Sequence, residues 1–266
     1  MVHLPGLPGF QDNAHVRPHL LPDEEIVESC GGEKGRNGHM VPVYAPIGQD
    51  EDVAALLHRR QGFVDIDAEA GRHAYSAEQW PIVRRMIHAN ADFEFNGLTD
   101  FHPGAVRAGV AAMLRGGTPV VADVEMICSG LSRPRLAHFG MSTHQFISDA
   151  DVIAQAQAQN TTRAVQAMRK AHRLGLLQGA VVGIGNAPTA LIELVRLIME
   201  DGVRPALVVG MPVGFVSAAE SKDLMAQIAD VPWIVIRGRK GGSTLVVAAL
   251  HALLALAEAQ QRAEGA

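Results

Sequence analysis

From Pro103 onward the chain alternates stretches whose apolar residues recur at helical spacing with short apolar runs closed by Gly or Pro. Recurrence every three to four residues lays an apolar stripe along a helix. A bounded run of roughly four to eight apolar residues suits a strand buried on both faces. The spacing predicts a helix over Gly104–Arg115 before a strand at Pro119–Val124, and a long helix over Asp151–Leu174 before a strand at Ala180–Ile184. Two more repeats follow: helix Pro188–Glu200 with strand Ala206–Val209, and helix Ala218–Ala229 with strand Trp233–Ile236. An Ala/Leu-rich helix from Thr244 closes the pattern. Such alternation predicts an α/β fold, doubly wound, with a mainly parallel sheet and helices on both faces.

The first fifty residues break this rhythm. They are rich in Pro, Gly, His and charge, and CGGEKGRNGH at Cys30–His39 reads as turn or irregular chain. Residues 1–50 are therefore expected to form an extension, partly irregular or disordered, and 51–266 a single α/β domain. With 48% hydrophobic residues in 266, the chain can bury a sizeable core. Aromatics make up only 5% and the net charge is −5, which argues against a nucleic-acid surface; an acidic ligand has to be met by a local group of Arg and Lys. The two cysteines, Cys30 and Cys128, form no CxxC pair, so neither a disulfide framework nor a cysteine zinc site is indicated, and a reducing cytoplasm is the simplest home. Met1–Phe10 lacks a basic segment followed by an apolar one, and no later apolar run reaches membrane-spanning length without Gly, Pro or charge. Neither export nor a membrane is expected.

In an open parallel sheet, ligands collect beyond the carboxyl ends of the strands. The segments that follow the apolar runs read GIGNAPTA (Gly183–Ala190), GMPVGFVSAAESKD (Gly210–Asp223) and RGRKGGS (Arg237–Ser243). Each is a glycine-bearing turn leading to a helix start, where backbone N–H groups attract carboxylates or phosphates. None carries a nucleotide fingerprint: Pro188 stands where the dinucleotide motif needs its last glycine, and RGRKGGS lacks phosphate-loop spacing. Each loop alone could equally be turn and capping chemistry. If Pro81–His88 is helical, Ile82, Val83, Met86 and Ile87 make one apolar face and His88 points away from it, flanked by Arg84 and Arg85. An outward imidazole beside two guanidiniums stays neutral until negative charge arrives, which suits proton transfer near neutral pH; a plain surface histidine fits the same spacing. His102, His138 and His144 fall in loop-like sequence without metal-ligand spacing, and no metal is expected. Asp123 and Glu125 of DVEM are either a strand-end carboxylate pair or caps. Arg133, Arg135, Arg163, Lys222, Arg237, Arg239 and Lys240 could meet carboxylates or simply lie solvated at the surface.

Several of these stretches together resemble the precorrin-8X methylmutase family: WPIVRRMIHANADFEF (Trp80–Phe95), HPGAVRAGVAAML (His102–Leu114), DVEM (Asp123–Met126), TTRAVQAM (Thr161–Met168), GNAPTAL (Gly185–Leu191), GMPVGFVSAAESKD and RGRKGGS. The resemblance runs from about Arg59 to Leu253. It implies an isomerase of cobalamin biosynthesis that moves a methyl group between neighbouring ring carbons of precorrin-8X, giving hydrogenobyrinate, or acts on the cobalt-containing counterpart. It also implies no separate cofactor, a corrinoid tetrapyrrole substrate and a homodimer with sites near the subunit boundary. The family histidine, matched by His88, is taken to protonate a macrocycle nitrogen, and the family arginine matched by Arg163 lies near the substrate. The substrate-binding set expected from these motifs is Arg163 with Thr162, Asn186 and Thr189, Gly210, Met211 and Pro212, Ser221 and Lys222, and Arg237, Gly241, Gly242 and Ser243. Small residues in the GNAPTA and GMPVG loops would let a flat ring approach the backbone. One departure is local: the family usually carries Arg-Ser-Phe or a close variant in its first helix, whereas this chain reads Arg60-Gln61-Gly62-Phe63. That difference leaves room for a non-catalytic or slow corrinoid carrier that hands its ligand to a neighbouring pathway enzyme. A protein binding phosphorylated metabolites through its glycine loops is the third reading.

Overall fold

The computed structural model describes residues 33–34, 40–41 and 53–265. The chain falls into two units, 1–58 and 59–266. In the first, β1 (Glu33–Lys34) and β2 (Met40–Val41) pair antiparallel, bracketing part of the segment read as a turn. The rest of the expected extension, up to residue 50, lies outside the described residues. Helix α1 (Val53–Glu69) runs across the boundary.

The second unit continues with α2 (Trp80–Asn90), the short α3 (Phe95–Leu98), β3 (Thr99–Phe101), α4 (Ala105–Leu114) and β4 (Pro119–Ala122). Then come α5 (Glu125–Gly130), α6 (Arg133–His138), β5 (Ser142–His144), α7 (Ala150–Ala158), α8 (Arg163–Arg173) and β6 (Val181–Ile184). The last third holds α9 (Pro188–Glu200), β7 (Leu207–Gly210), α10 (Ala218–Ala226), β8 (Trp233–Ile236) and α11 (Ser243–Glu264). Six strands form one sheet in the order β3-β8-β7-β6-β4-β5, all parallel except β3, which runs antiparallel to β8. The α/β class and mainly parallel sheet agree with the sequence pattern.

Side chains of the central strands alternate between two buried layers. Val181, Leu207, Val209, Ile234 and Ile236 pack with α2, α4 and α11, while Val182, Ile184, Val208, Trp233 and Val235 pack with α8, α9 and α10. Helices on both faces explain why these strands read as unbroken apolar runs. Close packing is visible at Gly109 of α4, where an added Cβ would lie 2.9 Å from Leu207 and 3.1 Å from Leu253. Helix α11 is long and apolar enough to cross a membrane by composition, yet Leu245, Val246, Ala249, Leu250 and Leu253 are buried in the core beneath it. It is the central helix of its layer.

Two expectations change. The helix expected over 151–174 is two helices, α7 and α8, because Asn160 takes a left-handed conformation (φ 50°) and the Thr162 hydroxyl accepts a hydrogen bond from the Val165 N–H at 3.2 Å, starting a new helix. Strands β3 and β5 were not legible as strands; both lie at sheet edges and earn their place by backbone pairing more than by burial.

The parallel strands, taken in chain order, lie in the sheet as second, first, third, fourth, fifth. The winding reverses between β4 and β6. A crevice beyond their carboxyl ends is where such folds bind ligands.

Candidate active site

The carboxyl ends of β4, β6, β7 and β8 open onto one edge, and the chain brings the end of α2 to that edge as well. Leu98, just before β3, accepts the Arg237 N–H at 2.8 Å. Lys240, in the β8–α11 loop, pairs with Asp92 and with Glu94 (2.9 Å), both just past α2. The Thr244 hydroxyl at the start of α11 reaches the Asn90 side-chain oxygen at 3.4 Å. Next along the edge, Gly185 is pressed so closely on Ser243 that an added Cβ would lie 2.6 Å from its Cα. Thr189, at the start of α9, meets Thr162, the cap of α8, with hydroxyls 3.0 Å apart. These contacts join the His88 end of α2 to Arg163 in one continuous rim.

Helix α2 orients His88 as its periodicity predicts: Ile82, Val83, Met86 and Ile87 are buried and His88 is on the exposed side. Its ring stands edge-on to Phe63 with centroids 5.2 Å apart and borders a cavity of about 240 Å³ lined also by Gly62, Asp65, Ile66, Glu69, Ile87, Ala91 and Phe93. Partial burial, then the charges of Arg85 and Arg59, hold His88 below the ordinary histidine pKa. Arg84 does less here than its position suggests, because it pairs with Asp67 and lies 4.7 Å over the Phe63 ring. Arg85 instead reaches His251 Nδ1 at 3.4 Å. Burial, with Arg85 and Arg135 nearby, pushes His251 down to about 4, so it stays neutral at neutral pH. Arg59 and His251 were not found from sequence; both reach this neighbourhood only through tertiary packing.

The expected binding residues divide by exposure. Thr162, Arg163, Asn186 and Arg237 are exposed, and Thr189, Gly241 and Gly242 are half-buried. Among the described residues Arg163 has no ion pair, and it borders a cavity of about 480 Å³ between α7 and α8 with Asn160 and Thr161. Arg237 is occupied by Asp100 at 3.2 Å and by the Gly97 carbonyl. Gly210, Met211, Pro212, Ser221, Lys222 and Ser243 are buried. Lys222 donates to the carbonyls of Pro212 (3.0 Å) and Lys240 (2.7 Å), tying the loop after β7 to the loop after β8, and burial pushes it down to about 8. Gly242 N–H donates to the Met211 carbonyl at 2.8 Å, and Gly241 abuts the carbonyls of Met211 and Pro212. The small residues thus let loop approach loop, and the rim facing outward is mostly side chain. Beyond β7 that rim is apolar, with Phe215 85% and Val216 82% exposed. No three His, Cys, Asp or Glu side chains gather as metal ligands among the described residues.

The family model described as precorrin-8X methylmutase matches residues 59–256, which takes in the sheet, α2 and every loop of this rim. The chain belongs to the precorrin-8X methylmutase family. It is therefore an isomerase of cobalamin biosynthesis. A cobalt-precorrin-8 methylmutase of Leptospira interrogans is 49% identical over 201 residues, covering 74% of this chain and 91% of that protein. A precorrin-8X methylmutase of Pseudomonas aeruginosa is 40% identical over 197 residues, 73% of this chain and 92% of the relative. The crystal structure of the precorrin-8X methylmutase from Thermus thermophilus superposes with a TM-score of 0.73 at 51% identity, covering 77% of this chain and 97% of that one.

Proposed function

We propose that this methylmutase moves a methyl group on precorrin-8X to give hydrogenobyrinate, or on cobalt-precorrin-8 to give cobyrinate, with His88 as proton donor and acceptor. The observation that carries this reading is an exposed histidine at the ligand-binding edge of a methylmutase fold, held below the ordinary histidine pKa by partial burial and then by two arginines. A macrocycle fringed with carboxylates brings the negative charge that offsets Arg85 and Arg59 and favours the imidazolium. His88 then passes its proton to a ring nitrogen, the methyl group migrates with its bonding pair from one ring carbon to the next, and the proton returns. No atom is gained or lost. The site must stabilise the protonated, rearranging ring over the resting one. Exposed Arg163, with Thr162, Asn186 and Thr189 beside it, meets the acidic arms. A cobalt ion would be held by the macrocycle and ask for no protein ligand.

Two finer readings accompany this one. The chain acts in the cytoplasm as a homodimer; the exposed apolar stretch of Val213, Phe215 and Val216 beside the rim supports the pairing of two copies. Gly62, in place of the family serine, supports a second functional reading, a corrinoid carrier with slow turnover. The visible absorption spectrum of the protein mixed with precorrin-8X, followed over time, separates these, because methyl migration changes ring conjugation. Conversion to a hydrogenobyrinate-like spectrum is expected. A shift on mixing that never converts would favour the carrier, and no shift at all would overturn both.

A further inference from the structure

Asp123 directly follows β4 at the point where the sheet reverses its winding, and the residue is only 1% exposed. Its Oδ1 accepts the Gly185 N–H at 3.1 Å; its Oδ2 accepts those of Asn186 at 2.8 Å and Ala187 at 2.7 Å. Three successive N–H groups turned to one point make an anion-binding nest. In open α/β folds such a nest at the switch point commonly takes a phosphate or carboxylate of the ligand. Here the protein's own carboxylate fills it. The Asp123 N–H meanwhile donates to the Gly183 carbonyl at 3.2 Å, extending the β4–β6 pairing by one residue. Neighbouring Glu125 takes no part, since its carboxylate accepts from Ser129 at 3.2 Å.

We propose that Asp123 is a positioning residue of the methylmutase reaction: by closing this nest it fixes the loop that presents Asn186 and Thr189 to the substrate. Gly185 is packed against Ser243, so the loop is held from one side by α11 and from the other by Asp123. The Asn186 side chain, exposed and without a hydrogen-bond partner among the described residues, is left for an acidic arm or an amide-like edge of the ligand. With the N–H groups of 185–187 taken by Asp123, these three donors are not offered to an acidic group of the ligand. The proposal rests on the reading that this rim binds the macrocycle.

Asp123→Asn is nearly isosteric but turns an NH2 toward at least one N–H, and Asp123→Ala empties the nest. Hydrogen–deuterium exchange of the unliganded protein reads the loop, and conversion of precorrin-8X reads KM and kcat. In Asp123→Asn, exchange at 185–187 should rise about tenfold or more and KM by about tenfold, as loss of one charge-assisted hydrogen bond brings, with kcat little changed. Formate should lower the raised KM of Asp123→Ala and leave wild type unaffected. A role in folding alone would lower the active fraction, and so the apparent kcat, at constant KM. Unchanged exchange in Asp123→Asn, or a KM within about twofold of wild type, overturns the proposal. If wild type binds precorrin-8X without converting it, the catalytic reading fails separately, and Kd from the spectral shift decides the role of Asp123 in the same way.

Discussion

Gly62 occupies the interior of α1, where glycine is less stable than alanine by about 1 kcal/mol. The structure supplies the reason it is tolerated there: a Cβ at this position would stand 3.0 Å from both Cε1 and Nδ1 of His88. Gly62→Ala therefore sets two effects against each other. The helix gains its propensity term, and the His88 ring, exposed and edge-on to Phe63, withdraws by a few tenths of an ångström instead of straining the core. Net stability should rise by about 0.5–1 kcal/mol, or roughly 1–4 °C in Tm for a domain of this size. Catalysis should move the other way. A displacement approaching 1 Å of a proton-transfer group can lower the rate about a hundredfold, so a shift of tenths should lower kcat about tenfold. Thermal denaturation and the visible conversion assay on the same preparation check both halves. An alanine variant as fast as wild type would mean that the His88 position seen here is not its reactive one; a variant less stable than wild type would mean that the ring cannot yield. Gly62→Ser adds a hydroxyl at the same point, and faster turnover in that variant would favour the slow-carrier reading of the natural chain.

His88→Ala should abolish conversion while the spectral shift on mixing with precorrin-8X persists, and near-normal turnover would remove His88 from the chemistry. Arg163→Ala should raise Kd for the macrocycle about tenfold, as expected for loss of one hydrogen-bonded charge, and an unchanged Kd in the same titration would exclude it from the site. His251 is pushed down to about 4 in the folded chain against about 6.5 unfolded, so the unfolded chain takes up the proton first as pH falls and stability drops between about pH 6.5 and 4. That loss should be about 2 kcal/mol, allowing for partial exposure, and urea unfolding of His251→Gln at pH 7 and 4.5 should show it largely gone. Lys222→Met should cost about 2 kcal/mol by leaving the Pro212 and Lys240 carbonyls without their donor, read by urea unfolding at pH 7; a neutral effect would show that the two loops hold together without it.

The parts of the fold visible in the sequence are those whose residues are buried on both sides. β4, β6, β7 and β8 sit between two helical layers, so their composition alone marks them. β3 and β5 read Thr-Asp-Phe and Ser-Thr-His and take their order from pairing with a neighbour, which leaves no apolar signature. The break between α7 and α8 was written in Asn160 and Thr162, a residue suited to left-handed backbone followed by a capping hydroxyl, but the apolar spacing on either side ran through it. At the site, the outward direction of His88 followed from helical period. What surrounds it did not, because Arg59, Gly62 and His251 lie 29, 26 and 163 positions away along the chain and meet its neighbourhood only when α1 and α11 pack beside α2.

The glycine loops carry the sharper lesson, since their backbone N–H groups are what suggested a phosphate or carboxylate site. In the folded chain several of those donors are committed. The N–H groups of Gly185, Asn186 and Ala187 go to Asp123, that of Gly242 goes to Met211, and the ammonium of Lys222 closes two carbonyls of the neighbouring loops. A phosphate entering the switch point would have to displace a buried carboxylate from three hydrogen bonds, which counts against the phosphorylated-metabolite reading at that loop. What stays available on the rim is a set of separated side chains, among them Arg163, Asn186, Thr189 and His88, beside an apolar stretch at Phe215 and Val216. Spaced polar groups around a broad apolar face suit a large ring with acids at its periphery better than a compact anion. The glycines of these loops also bring the loops close enough to build that rim.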